Sequence, residues 1–265
     1  MDPVQAIVLA VVQGLSEFLP ISSSGHLVLI PHFFGWSDQG LAFDVAVHMG
    51  TLAALLLYFR RELLTMAMAF TNSVVQRTQT RDSRLAWQLL VATIPVGLAG
   101  LLFDDYIESH LREPLFIACT LSFFGIVMYL ADRFGRGTRD EFSVSWGQAL
   151  IIGCAQALAL MPGTSRSGIT MTAGRALGLT RSAAARFSFL LAVPGIAAAG
   201  GYEGLKLVTS PNPVDWQPMV VGLVFAALSG IACIHLLIRF IERIGLLPFT
   251  LYRLLIAAVI VWHFA

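Results

Sequence analysis

Six apolar stretches, at about 43–59, 85–103, 114–131, 183–201, 218–238 and 247–264, are each long enough to cross a hydrocarbon core of roughly 30 Å as a helix. Soluble core helices do not run so long, so often. The composition agrees: 57 % of the 265 residues are hydrophobic and 12 % are charged, against about a quarter charged in an average soluble domain. The mean hydropathy is +0.76. The sequence therefore predicts an all-α polytopic membrane protein in which 1–265 form a single membrane domain.

The net charge of +1 identifies no partner, and no nucleic acid is expected. Its distribution is informative, because short Lys- and Arg-rich connections stay cytoplasmic. Thirteen arginines flank four connections: Arg60, Arg61, Arg77, Arg81 and Arg84; Arg133, Arg136 and Arg139; Arg175, Arg181 and Arg186; Arg239 and Arg243. The intervening connections, 104–113 and 202–217, carry only Arg112 and Lys206 against Asp104, Asp105, Glu108, Glu113, Glu203 and Asp215. These two are expected to face outward. Cys119, Cys154 and Cys233 sit in apolar segments without metal-ligand spacing and are expected to serve packing. The N-terminal Met-Asp-Pro-Val-Gln lacks a basic n-region and a cleavage site, so the first helix is expected in the mature protein.

Sliding the sequence by 143 positions places Gln13, Leu15, Ser22, Ser24 and Gly25 on Gln156, Leu158, Ser165, Ser167 and Gly168. One register later Phe43 meets Phe187, and Leu52-Ala53-Ala54 meets Ile196-Ala197-Ala198. Each half, about 1–132 and about 146–265, reads as a re-entrant helical hairpin (3–35; 146–178) followed by three transmembrane helices. Three spans per half is odd, so the arginine distribution makes them inverted-topology repeats. Irregular backbone at membrane depth has to be enclosed by protein or line a cavity, so the hairpins should face each other at the centre.

Polar residues concentrate in these hairpins. Gln13 and Glu17, four apart, share a helix face; Pro20 then stops the helix, and Ile21-Ser22-Ser23-Ser24-Gly25-His26 follows as a polar loop. A carboxylate in a membrane segment costs roughly 2.5 to 3.5 kcal/mol on insertion scales, which makes function the default reading of Glu17. The second hairpin supplies Pro162-Gly163-Thr164-Ser165-Arg166-Ser167-Gly168-Ile169-Thr170. Its guanidinium, hydroxyls and Gly-rich turn entering a helix describe an oxyanion site. The competing reading is structural, with the serines satisfying broken-helix backbone and Arg166 bonding carbonyls.

The runs Gln13-Gly-Leu-Ser-Glu17-Phe-Leu-Pro-Ile-Ser-Ser-Ser-Gly-His26 and Pro162-Gly-Thr-Ser-Arg-Ser-Gly-Ile-Thr170 closely resemble the two signature motifs of the bacterial undecaprenyl-pyrophosphate phosphatases of the bacitracin-resistance type. The likeness extends to Pro248-Phe-Thr-Leu-Tyr-Arg253 and covers nearly the whole chain. It implies hydrolysis of a C55 polyprenyl pyrophosphate to the monophosphate carrier and inorganic phosphate, on the outward side of the plasma membrane, aided by a divalent cation, Mg2+ or Ca2+. Gln13 stands where the family often has glutamate, and His48 where it commonly has glutamine. With one carboxylate fewer, a metal would rest more heavily on Glu17 and on the pyrophosphate.

Pyrophosphate hydrolysis needs neutralised oxygens, a nucleophile and a proton source. Arg166, with Ser165, Ser167 and Thr170, is expected to hold the terminal phosphoryl group, Gln13, Ser22 and Ser24 to contact the substrate, and Glu17, with Gln13, to bind the metal or orient the substrate through it. Ser23 activated by His26 is the first choice of nucleophile. Attack by Ser22, Ser24 or water held by His26 or Glu17 stays open. The tail is expected sideways between helices, where Phe18, Phe33 and Phe34 could line a slot. Small residues such as Gly195, Ala197, Ala198, Ala199, Gly200 and Gly201 permit close packing within or between chains, a homodimer included.

Two other functional readings compete. A secondary carrier for lipid phosphate shares the broken helices and inverted repeats, but needs no histidine beside a serine triplet. The acid-phosphatase-like lipid phosphatases share a Ser-Gly-His, yet the position six beyond Arg166 is Thr172 rather than their histidine. A membrane scaffold leaves buried Glu, His and Arg unexplained.

Overall fold

The computed structural model describes residues 1–111, 113–209 and 215–264, without the side chains of Asp104, Asp105, Glu108 and Val208. Arg112 and the part 210–214 of one predicted outward connection lie outside the described residues. Eleven helices, and no strand ladder, form among the described residues: α1 (Pro3–Ser16), α2 (Ser23–Phe34), α3 (Gly40–Tyr58), α4 (Arg60–Val75), α5 (Arg81–His110), α6 (Pro114–Phe134), α7 (Trp146–Ala157), α8 (Arg166–Ala176), α9 (Arg181–Thr209), α10 (Trp216–Ile244) and α11 (Leu247–Phe264). Six of them, α3, α5, α6, α9, α10 and α11, are long and apolar enough to span a membrane, at the places read from hydropathy. Their outer faces carry exposed apolar side chains, such as Leu101, Leu102 and Trp262, as lipid contact requires.

Two connections differ from the sequence reading. The segment 60–84 is not simply a loop, because α4 occupies most of it and packs on α5. At the two connections expected to face outward, α5 and α9 run on to His110 and Thr209. The four arginine-rich connections do meet at one end, tied by ion pairs and hydrogen bonds. Arg186 joins Glu62 (2.8 Å) to Glu141 (2.6 Å). Asp132 takes Arg175 (2.9 Å) and Arg181 (2.8 Å), and Arg181 reaches the Glu242 carbonyl (3.0 Å). Several of the counted arginines are therefore clamps rather than free loop charges.

The hairpins α1–α2 and α7–α8 are short because their starts and breaks are written locally. Asp2 caps α1 ahead of Pro3, and Ser145 with Gln148 forms a capping box on α7. α1 ends at Ser16, ahead of Pro20, and the chain turns through 17–21. The second arm of each hairpin starts from a serine in a left-handed conformation: Ser22 (φ 75°) accepts from the Gly25 amide and Ser165 (φ 73°) from the Gly168 amide. Each also lies 3.3 Å from the hydroxyl two residues on, Ser24 and Ser167. The same local geometry thus recurs 143 positions apart. α1 packs on α10 and α7 on α5; both approaches use glycine, since a Cβ at Gly14 would stand 2.5 Å from the Ala226 carbonyl and one at Gly153 2.3 Å from that of Ala92.

The tips of the two hairpins meet in the interior. Ser167 donates to the Leu19 carbonyl (3.0 Å), and the fully buried Arg253 of α11 donates to the carbonyls of Pro20 (3.3 Å), Gly163 (2.9 Å) and Thr164 (3.0 Å) as well as Leu121 (3.0 Å) and Thr120 (3.4 Å) of α6. One guanidinium satisfies the backbone of both breaks. Of the cysteines, Cys233 is buried as expected, whereas Cys119 and Cys154 lie on the outer surface.

Candidate active site

Glu17 is the centre of the meeting point. As the C-cap of α1 it keeps helical geometry, so Gln13 one turn earlier donates Nε2 to its Oε2 (3.0 Å), as the four-residue spacing predicts. From α2, the Ser23 hydroxyl donates to the same oxygen at 2.6 Å. From α8, Arg166 Nη2 donates to Oε1 at 2.8 Å. The carboxylate is 6 % exposed and neutralised by one guanidinium, the arrangement a buried charge requires. Arg166 Nη1 has no partner among the described residues.

These groups open onto a cavity of about 560 Å³. Glu17, Ser23, Ser24, Ser165 and Arg166 form its polar end, Val45, Val96, Leu160 and Ile196 an apolar wall, and Glu203 and Lys206 line it further along α9. The expected pyrophosphate head group and the first isoprene units of a tail would fit within this volume.

The matching family model is described as "Bacitracin resistance protein BacA", and it covers residues 6–259. The chain belongs to this family. Across its full length it is 54 % identical to the undecaprenyl-diphosphatase 2 of Stutzerimonas stutzeri (strain A1501), spanning 99 % of that protein. It is 51 % identical to the undecaprenyl-diphosphatases of Nitrosococcus oceani and Thioalkalivibrio sulfidiphilus, end to end.

Within this bacitracin-resistance fold, the motif residues divide by task. Ser22 is a buried cap, Ser167 bridges the hairpins, and Thr170 bonds the Arg166 carbonyl (2.8 Å) and Ser188 (2.7 Å) of α9, away from the cavity. The predicted Ser23–His26 pair is not a hydrogen-bonded pair. The left-handed turn at Ser22 leaves its carbonyl to His26 Nδ1 (2.6 Å), and Nε2 meets the Tyr252 hydroxyl (2.7 Å) on α11. Both ring nitrogens of His26 are thereby engaged away from Ser23, whose hydroxyl goes to Glu17. Phe18 packs edge-on against Phe189 in the core (5.5 Å), and neither it nor Phe33 or Phe34 lines the cavity.

The imidazole that does line the cavity is His48, with Nδ1 on the Asp44 carbonyl (2.7 Å) and Nε2 4.0 Å from Glu17 Oε2. The role of Arg253 was also missed, although a lone arginine inside the last span is a signal in its own right. For a divalent cation the site offers Glu17 and Gln13 Oε1, a buried oxygen without a partner among the described residues. No group of three His, Cys, Asp or Glu gathers there among the described residues. The donors fit a hard cation shared with pyrophosphate oxygens, not one caged by protein alone.

Proposed function

We propose that the chain hydrolyses undecaprenyl pyrophosphate to undecaprenyl phosphate and inorganic phosphate, recycling the lipid carrier for cell-wall synthesis and so conferring bacitracin resistance. The relatives' names support the substrate. The observation that carries the chemistry is the Glu17 carboxylate shared by Ser23 and Arg166 at the polar end of the cavity.

In this mechanism Ser23 Oγ attacks the terminal phosphorus while its proton passes to Glu17 Oε2, which stands 2.6 Å away, where a general base has to stand. The bridging P–O bond breaks, its electron pair stays with the leaving oxygen, and undecaprenyl phosphate departs as Glu17 hands that oxygen the proton it took from Ser23. Water then cleaves the phosphoserine, releasing inorganic phosphate and restoring the Ser23 hydroxyl. Arg166 Nη1 and the Ser24 and Ser165 hydroxyls hold the phosphoryl oxygens as charge redistributes. Glu17 and Gln13 would hold a divalent cation, Mg2+ or Ca2+, which would supply charge neutralisation at the pyrophosphate. His26 is a positioning residue that ties α2 to α11.

The reading places the protein in the bacterial inner membrane as two inverted halves, with the cavity facing the outer side. Purified protein in detergent should release phosphate from a C15 or C55 prenyl pyrophosphate, with turnover that depends on added divalent ion. A folded wild-type protein that releases none would overturn the phosphatase in favour of a lipid-phosphate carrier.

A further inference from the structure

Gln156, at the end of α7, lines the cavity yet is 1 % exposed, and neither its Nε2 nor its Oε1 has a hydrogen-bond partner among the described residues. A buried amide with all of its bonding capacity unused is rare, because each unmade bond retains its full desolvation cost. Its counterpart 143 positions earlier, Gln13, commits its Nε2 to Glu17. Gln156 has no such task among the described residues. The neighbouring wall leaves room beside it, since Gly195 of α9 has no side chain and a Cβ built there would lie 4.0 Å from Gln156 Oε1. Arg166 Nη1, on the same cavity, is another buried donor without a partner among the described residues.

An isoprenoid chain has no acceptor for an amide, whereas a pyrophosphate is rich in them. We propose that Gln156 contacts the substrate head group directly, its Nε2 donating to an oxygen of the pyrophosphate that Arg166 binds, and that Gly195 keeps the approach to this amide open. The proposal rests on the phosphatase reading and adds a binding residue outside both motifs.

The test uses Gln156→Met, which keeps length and volume while removing both polar atoms, with farnesyl pyrophosphate as substrate in detergent. One donor to a charged oxygen corresponds to a rise in KM of about tenfold or more, with a smaller loss in kcat. Thermal stabilisation by inorganic pyrophosphate should shrink in parallel. The melting temperature without ligand should hold or rise, because an unsatisfied buried amide has been removed. Gly195→Val, which covers the amide from α9, should raise KM in the same direction and carries the test if Gln156→Met does not fold. Wild-type KM and wild-type pyrophosphate stabilisation in the variants would overturn the assignment, as would a lowered melting temperature with unchanged KM, the mark of a structural glutamine. A wild-type protein with no turnover overturns the phosphatase reading instead, so the two failures are distinguishable.

Discussion

Three donors from three helices converge on one carboxylate, and each makes a different demand on Glu17. Gln13 and Arg166 fix its orientation, while in the proposed mechanism Ser23 uses its charge. Glu17→Gln preserves the shape but removes the proton acceptor, and should lower kcat by about 10²- to 10⁴-fold, the range of general-base contributions. Ser23→Ala should fall at least as far and abolish any phosphoserine trapped by rapid acid quench; full turnover in either variant would exclude the covalent route through this pair. His26→Ala should lose activity by a different path, through movement of α2, and His26→Gln, able to bond Tyr252 or the Ser22 carbonyl, should recover part of it. Recovery no better than with alanine would mean that the imidazole itself takes part. At this scale the sequence was half legible. The Gln13–Glu17 face follows from helical periodicity, which is local. The choice of Glu17 over His26 as the partner of Ser23 was not, because it depends on how the left-handed turn at Ser22 directs the loop.

Among the elements, the two broken hairpins require the most support, since their tips leave carbonyls without helical partners at membrane depth. Arg253 of α11 meets that need for both tips at once. Arg253→Met should therefore destabilise more than an ordinary core substitution, by about 3 kcal/mol or more, because several buried acceptors lose their donor together. Thermal unfolding in detergent would show it, and a melting temperature within a degree or two of wild type would refute the role. The hairpins themselves were legible as interrupted apolar segments with proline, glycine and serine at their breaks. α4 was not, because its mixed face lacks the continuous apolar run by which the spans were found. Neither was the common ligation of both breaks by one arginine: its position inside a span is visible in sequence, but its five carbonyl partners are chosen by packing across α6 and the hairpins.

At the scale of the molecule, the ion pairs and hydrogen bonds that join Glu62, Asp132, Arg181, Arg186 and Glu242 gather the four arginine-rich connections at one end. α9 leaves that end at Arg181, and a helix of 29 residues is about 43 Å long, enough to cross the bilayer. The cavity extends along α9 to Glu203 and Lys206, near its far end. If positive charge keeps the arginine end cytoplasmic, the end of the cavity at Glu203 and Lys206 lies toward the outer side. Sidedness can be read in cells with single cysteines, in a background where Cys119, Cys154 and Cys233 are replaced. Trp216→Cys, at the exposed start of α10, should react with a membrane-impermeant maleimide in intact cells. Arg136→Cys, in the exposed turn after α6, should react only after permeabilisation. The reverse pattern would turn the cavity toward the cytoplasm, and would require the ion-pair clamps, not the topology, to explain why the arginines cluster.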